Sequence, residues 1–402
     1  IESNTPALAI LPLVHSFNCP LVRSSARTLF RPSARIAKPR SFPIFVPLDE
    51  KFYIEVACRQ QNHHAERVCG DVFISRRIKE EGRIIVVLSD GMGHGIKANM
   101  LATLSATLAV NFSAGRKGVQ EAAEIIMKTL PVDSVKQMNY ATFTIAEIDV
   151  EGEVRVVEYE NPRTLVFRGG ELFDPRWNCI ILENINNAGR EVLTTSFRPQ
   201  KEDRIVFCSD GVTQSGLGSD KFQLGWGLQN LEDFIREAIR EEPDVSAVRL
   251  GEKVVNKANQ NDGFHPSDDI SCSVIYFREP RKLMIFTGPP VNPSDDTMFT
   301  GLLKQFEGKK IICGATTADM VAREWGETIT DTTQIIDPDL PPVSYMDGVE
   351  LITEGILTLS KASELLKKID PNALPGKGPA DEVVRHLLES DEIHFLVGTH
   401  IN

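Results

Sequence analysis

Twice in this chain an apolar run ends in Ser-Asp-Gly, first as Arg83-Ile-Ile-Val-Val-Leu-Ser-Asp90-Gly91 and again as Arg204-Ile-Val-Phe-Cys-Ser-Asp210-Gly211. Runs of this kind, closed by a turn signal, read as strands covered on both faces. A fold that holds both must bury two strands completely and end each one at a carboxylate. A third acidic cluster, Ser267-Asp268-Asp269-Ile270-Ser271, opens a further strand-like run over residues 273–277, and Asp71 in Gly70-Asp71-Val72-Phe73 precedes the first copy. Four carboxylates at strand ends, with few histidines nearby and no patterned cysteines, point to a hard divalent cation with oxygen ligands.

The rest of the chain supplies a frame for these ends. At 402 residues with 42% apolar content it has room for two or three domains with ordinary cores. Residues 52–57 read as a strand, 97–112 as a buried Ala-, Leu- and Met-rich helix starting beside Asp90, and 118–130 as a second helix ended by Pro131. Four strand candidates follow, at residues 141–148, 153–159, 164–167 and around Ile180, with turns at Asp149-Val-Glu-Gly152 and Gly169-Gly170 that suit antiparallel hairpins. Helices are expected over 228–240 and 245–258. Strands grouped with strands and helices with helices predict an α+β layered sandwich for residues 51–279. From Arg278-Glu-Pro-Arg-Lys282 onward, strand-like runs at 283–287, 310–314, 348–353 and 394–397 alternate with helical ones, notably 317–325 and 359–369, which predicts a smaller α/β domain over 280–402 with a mostly parallel sheet.

Residues 1–50 differ in texture, with no acid between Asn4 and Leu48 and basic residues at Arg23, Arg27, Arg31, Arg35, Lys38 and Arg40. Such composition suits a poorly ordered N-terminal extension or arm; a transit peptide has it too, although Pro32 interrupts any amphipathic helix there. A net charge of −12 argues against nucleic-acid binding, which needs basic surface. The stretch to about Pro47 carries no apolar run long enough to span a bilayer. Seven cysteines without a C-x-x-C pair suit reduced, structural thiols and a cytoplasmic protein.

A carboxylate cluster suits paired divalent ions, because bridging oxygens offset ion–ion repulsion, and its natural use is in-line hydrolysis of a phosphoester. Asp-Gly by itself usually marks a turn, so the order of the motifs is what discriminates. Gly70-Asp71-Val-Phe, then Val87-Leu-Ser-Asp90-Gly91-Met92-Gly93-His94-Gly95-Ile-Lys-Ala98, then Val206-Phe-Cys-Ser-Asp210-Gly211-Val-Thr, then Asp268-Asp269-Ile-Ser271 resembles the metal-dependent type 2C (PPM) protein serine/threonine phosphatases, in the bacterial branch of stage II sporulation protein E. The resemblance covers residues 51–279. It implies an αββα four-layer sandwich holding two Mn²⁺ or Mg²⁺ ions. It also implies that Asp71 and Asp90 contact the metals directly or through a bridging water, that Gly91 gives its carbonyl, and that Asp210 and Asp268 bind the second ion. Asp269 stands just behind that set.

The resemblance implies hydrolysis of phosphoserine or phosphothreonine on a regulatory protein. Eukaryotic members carry His directly after Asp-Gly as a proposed general acid, where this chain has Met92. His94 is either its substitute or a loop histidine at a helix start, and Arg67 has the charge to clamp a phosphoryl group. A catalytically weak signalling module on the same fold is the alternative, and the 280–402 domain is expected to regulate, bind a partner or carry a separate small-molecule function. Gly314-Ala-Thr-Thr-Ala-Asp319 there is a strand-to-helix turn open to an anion or simply capped by Thr316 or Thr317. Glu354-Gly355 and Gly398-Thr399-His400 also fall at strand ends. A homodimer fits this scheme; a nucleic-acid or membrane partner does not.

Overall fold

A computed structural model describes residues 13–14, 52–114, 125, 141–149, 152–182, 189–332, 336–368 and 376–399. Apart from Ile125, the helix expected over 118–130 lies outside the described residues, as does His400. The chain divides into two compact units, one of Glu50–Glu279 and the other of Pro280–Asn402 with the N-terminal segment. Strand β1 (Leu13–Val14) belongs to the second.

The first unit contains β2 (Tyr53–Gln61), β3 (Val72–Ile78), β4 (Arg83–Gly91), α1 (Gly95–Ala114), β5 (Ala141–Ile148), β6 (Val154–Tyr159), β7 (Leu165–Arg168), β8 (Glu171–Leu172), β9 (Asn178–Ile181), β10 (Glu191–Phe197), β11 (Arg204–Cys208), the short α2 (Asp210–Thr213), α3 (Gly227–Glu241), α4 (Ala247–Asn261) and β12 (Ile270–Arg278). Six strands pair in the order β3-β4-β5-β6-β10-β9 and five in the order β2-β12-β11-β7-β8, every pairing antiparallel.

The apolar runs are continuous because both faces of these strands are covered. In β4, Ile85 and Val87 face α1, whereas Val86 and Leu88 face the other sheet. In β11, Val206 and Cys208 face α3 and α4, whereas Ile205 and Phe207 meet Val86 and Leu88 between the sheets. The layers are therefore helix, sheet, sheet, helix, with one core between the sheets and one under each helical layer.

Each helix is set by its buried stripe. α3 buries Leu231, Ile235, Ala238 and Ile239, and α4 buries Leu250, Val254, Val255 and Ala258, the i, i+4, i+7 or i+8 spacing of one helical face. Ser246 caps α4 by accepting a hydrogen bond from the Arg249 backbone N–H at 3.2 Å. Ser246→Ala should therefore destabilise the protein by about 1 kcal/mol in a urea titration, and an unchanged midpoint would show that the cap is not used.

In the second unit the parallel strands β13 (Lys282–Thr287), β14 (Lys309–Cys313), β17 (Val349–Thr353) and β18 (Glu392–Val397) lie in the order β18-β13-β14-β17. Antiparallel β16 (Ser344–Met346) and β15 (Thr330–Asp331) extend one edge, and β1 pairs antiparallel with β18 at the other. Helices α5 (Asp296–Gln305) and α6 (Ala315–Trp325) share one apolar layer and α7 (Ile356–Lys368) and α8 (Pro379–Glu389) the other, so the sheet is covered on both faces.

Two turns here differ from expectation. Neither Thr316 nor Thr317 caps α6: its N-cap is Gly314, at φ +124°, with no side-chain cap bond. Glu354 is already engaged, its Oε2 accepting from the Leu357 and Thr358 backbone N–H groups at the start of α7. At the crevice between β13 and β18, a Cβ on Gly398 would fall 2.1 Å from the Pro289 carbonyl oxygen, so backbone fills that strand end.

Candidate metal centre

β3 begins where β4 ends, and β12 begins where β11 ends, because each pair is antiparallel. Asp71 enters β3, Asp90 closes β4, Asp210 follows β11, and Asp268 and Asp269 lead into β12. The two sheets thus present all five acids at one end of the sandwich. The two Ser-Asp-Gly copies are not mechanically alike, however. Asp90 is still paired in the sheet, opposite Thr142, whereas Asp210 has left β11 and opens the helical turn α2 behind an extended Ser209.

Glycines allow this convergence. A Cβ on Gly91 would stand 2.0 Å from the Ala98 carbonyl oxygen of α1, and one on Gly211 would stand 2.2 Å from the Asp269 carbonyl oxygen. A Cβ on Gly70 would reach 2.8 Å from Asp269 Oδ2. Each acid-bearing turn is pressed against its neighbour at a distance only glycine permits.

The acids repel one another. Burial, then the charges of Asp71, Asp210 and Asp268, raise the pKa of Asp90 well above the ordinary carboxylate range. Burial chiefly, with Asp269 adding, raises that of Asp71 to about 7. For Asp268 burial again leads, Asp210 and Asp269 add, and the value reaches about 6. The Ser209 and Ser271 hydroxyls favour ionised Asp71, yet neither closes a hydrogen bond with it: Ser209 Oγ accepts from Ser271 N at 3.0 Å and Ser271 Oγ accepts from Gln60 Nε2 at 3.0 Å.

Unspent oxygens mark the site. Both carboxyl oxygens of Asp71, Oδ1 of Asp210 and Oδ2 of Asp269 are buried with no hydrogen-bond partner. Asp203 shows what a structural acid looks like in the same unit, its oxygens taken by Arg168 at 2.8 and 3.1 Å and by Gln200 N at 2.8 Å. A buried carboxylate oxygen without a donor is unfavourable unless a cation is to be bound there. Oxygen-only donors of this kind fit Mg²⁺ or Mn²⁺. Among the described residues no three acid, histidine or cysteine side chains are already drawn into a coordination group; what fits is the donor chemistry, not a finished shell.

Two neighbours were not expected, Gln214 and Glu66. Gln214, one helical turn beyond Asp210, donates from Nε2 to Asp210 Oδ2 at 2.8 Å, and its i+4 spacing is the signal that would have found it. Asp269 is fully buried and accepts the His63 backbone N–H on Oδ1 at 3.0 Å. Histidines are also closer than the sequence suggested. The His63 ring stacks on His94 with centroids 4.3 Å apart, and His94 Nδ1 donates to Glu66 Oε1 at 2.9 Å. Glu66 lies in a polar loop with no pattern to single it out. Arg67 is exposed and makes no hydrogen bond to the acids among the described residues.

The fold and the acid cluster define a four-layer domain of the PP2C phosphatase type. Residues 80–278 match the family model of Stage II sporulation protein E (SpoIIE), so this domain resembles the SpoIIE-like branch of the metal-dependent phosphatases. Among solved structures, the SpoIIE phosphatase domain from Bacillus subtilis is 13% identical, with a TM-score of 0.44 over 57% of this chain and 93% of its own. RsbX in complex with magnesium is 18% identical, with a TM-score of 0.39 over 57% and 98%. The catalytic domain of the serine/threonine protein phosphatase PstP, in complex with two manganese ions, is 15% identical, with a TM-score of 0.37 over 57% and 100%. No curated protein matches the chain.

Proposed function

We propose that this protein hydrolyses phosphoserine and phosphothreonine on a regulatory protein, with two Mn²⁺ or Mg²⁺ ions held by Asp71, Asp90, the Gly91 carbonyl, Asp210 and Asp268. The carrying observation is the set of buried, donor-free oxygens on Asp71 and Asp210 in a cluster where burial, then neighbouring acids, raise the pKa of Asp71 and Asp90. Ions bound there supply an activated water and neutralise charge on the phosphoryl group. The chain's own parts do the positioning. Gln214 orients Asp210 by occupying Oδ2, which leaves Oδ1 for the ligand. Asp269 ties the His63 loop down beside the cluster.

Six free cysteines among the described residues support a reducing compartment such as the cytoplasm. No helix among the described residues is long and apolar enough to cross a membrane. The Pro280–Asn402 unit is left for regulation or partner binding.

Turnover of a phosphoserine peptide with added Mn²⁺ is the direct test. Release of phosphate by the wild type, absent with chelator and reduced in Asp210→Asn, is expected. No release, or equal rates for the two proteins, would remove this reading in favour of a phosphatase-fold binding module.

A further inference from the structure

We propose that the Pro280–Asn402 unit binds a small zwitterion of the α-amino acid class between the ends of β14 and β17, its carboxylate on the start of α6 and its ammonium on Glu354. This goes beyond the phosphatase reading and does not depend on it. β14 and β17 are adjacent and parallel, yet the chain leaves them toward opposite faces of the sheet, through α6 on one side and α7 on the other. In an open parallel sheet a ligand crevice lies at such a point, outside the C-terminal ends of the strands.

The α6 side is a set of unused donors. The helix has no side-chain cap, and its first bond runs from Ala318 N to the Gly314 carbonyl at 3.0 Å. The N–H groups of Ala315, Thr316 and Thr317 therefore make no hydrogen bond among the described residues. A helix start alone would not single out a ligand, but Thr317 does. It is 1% exposed, and its hydroxyl makes no hydrogen bond among the described residues. Its Oγ1 stands 3.5 Å from where a Cβ on Gly314 would be, a point itself 4.0 Å from Gly355 Cα, so the hydroxyl is turned to the gap between the two strand ends. Thr358, at the same third position of α7, likewise has a buried hydroxyl without a partner.

The α7 side supplies the opposite charge. Glu354 Oε2 accepts from the Leu357 and Thr358 N–H groups, which fixes the carboxylate, while Oε1 makes no hydrogen bond among the described residues. The charge of Glu354 is felt by the Cys313 thiol at the end of β14, so it reaches across the gap. Gly314 N donates to the Thr353 carbonyl at 2.8 Å and holds the two turns at a set separation. Gly355 has a φ outside the left-handed region, and an added Cβ would meet Gly314 Cα at 3.5 Å and the Cys313 carbonyl oxygen at 3.7 Å, both ordinary contacts. Neither strain nor crowding within the protein calls for glycine there; the space it leaves is open to a ligand.

Donors on one wall and a single carboxylate on the other select the ligand. A phosphate would bring its negative charge beside Glu354, and neither turn, Cys313-Gly-Ala-Thr-Thr317 nor Thr353-Glu-Gly-Ile-Leu357, carries a lysine or arginine to offset it. A carboxylate with an ammonium on the adjacent carbon satisfies both walls with charge-assisted hydrogen bonds. Ile356 and Leu357, 77% and 56% exposed, continue from Gly355 and offer an apolar side chain a surface.

Calorimetric titration of the full chain with L-leucine, L-valine and L-phenylalanine tests this, against isocaproate, which lacks the ammonium, isoamylamine, which lacks the carboxylate, and inorganic phosphate. At least one of the amino acids should bind with a Kd of about 1 mM or tighter, and for leucine the loss of either charged group should weaken binding roughly tenfold or more. Gly355→Ala should weaken amino acid binding about tenfold or more while keeping or raising the melting temperature, since alanine suits that backbone. Glu354→Gln, whose amide oxygen can still accept from the start of α7, should remove most of leucine's advantage over isocaproate. Binding of none of the three amino acids, binding of phosphate in their place, or an unchanged affinity in Gly355→Ala would overturn the proposal.

Discussion

Asp90→Asn is expected to lower metal-dependent turnover at least about a thousandfold, ~4 kcal/mol of transition-state stabilisation, and at the same time to raise the melting temperature of the metal-free protein. The two effects have one cause. Asp90 faces Asp71, Asp210 and Asp268 in a buried cluster, and its ionisation is opposed first by burial and then by those charges. On the proposed site, removing its charge removes one point of attachment for the ions, and it removes a carboxylate whose ionisation burial and the neighbouring acids oppose. The sign with pH follows. Asp71 and Asp268 are raised from 3.8 to about 7 and about 6, so the folded protein keeps protons that the unfolded chain has already released. Their stabilising contribution is fully present below about pH 4 and is lost as pH rises through 6 to 7. Metal-free wild type should therefore lose stability across that window, by an amount on the order of a few kcal/mol, and Asp90→Asn should lose less. Added Mn²⁺ at neutral pH should restore the wild type by mass action and the variant much less. Thermal denaturation from pH 4 to 8, with and without Mn²⁺, reads all of this. A variant less stable than wild type without metal, or one that keeps its turnover, would show that the acids do not form one repelling group.

The same physics explains what was legible beforehand. β4 and β11 were readable because each is buried on both faces, which forces an unbroken apolar run. Edges lack that constraint. β3 borders the six-stranded sheet and exposes Ser75, Arg76 and Arg77, so its sequence carries no strand-like run; β10 lies inside the sheet between β6 and β9, yet Glu191 and Ser196 on it are exposed and break its run too. The acids were legible because rigid strand ends bring them together in an order set by the chain. What was not legible was anything that depends on a loop crossing: Glu66 reaches His94 over 28 positions, and Asp269 takes the His63 amide over 206. No periodicity encodes such meetings. Glu354 fell to the opposite error, a strand-end acid whose oxygen turns out to serve a helix start. Only the absence of a donor, as at Asp71, separates a waiting carboxylate from one already in use.

Gly91→Ala carries the second large effect. The glycine is the last residue of β4, one past Asp90, and an added Cβ would stand 2.0 Å from the Ala98 carbonyl oxygen and 2.9 Å from its Cα. Those are backbone atoms in the first turns of α1, so no side chain can rotate away; the helix must lift off the strand. α1 is seated by Ala98, Ala102, Ala106 and Ala109, small residues that permit this close approach but offer little apolar area to resist a shift. The expected loss is about 3 kcal/mol or more, with turnover falling too because the same strand end carries Asp90 of the proposed site. Gly93→Ala separates sterics from backbone preference. That residue has φ +90° but nothing within 4 Å of an added Cβ, so only the conformational penalty applies, about 1–2 kcal/mol. Urea titrations of both variants should place Gly91→Ala clearly below Gly93→Ala. Equal losses would mean that α1 yields at its start and that the strand end, not the packed helix, fixes where Asp90 points.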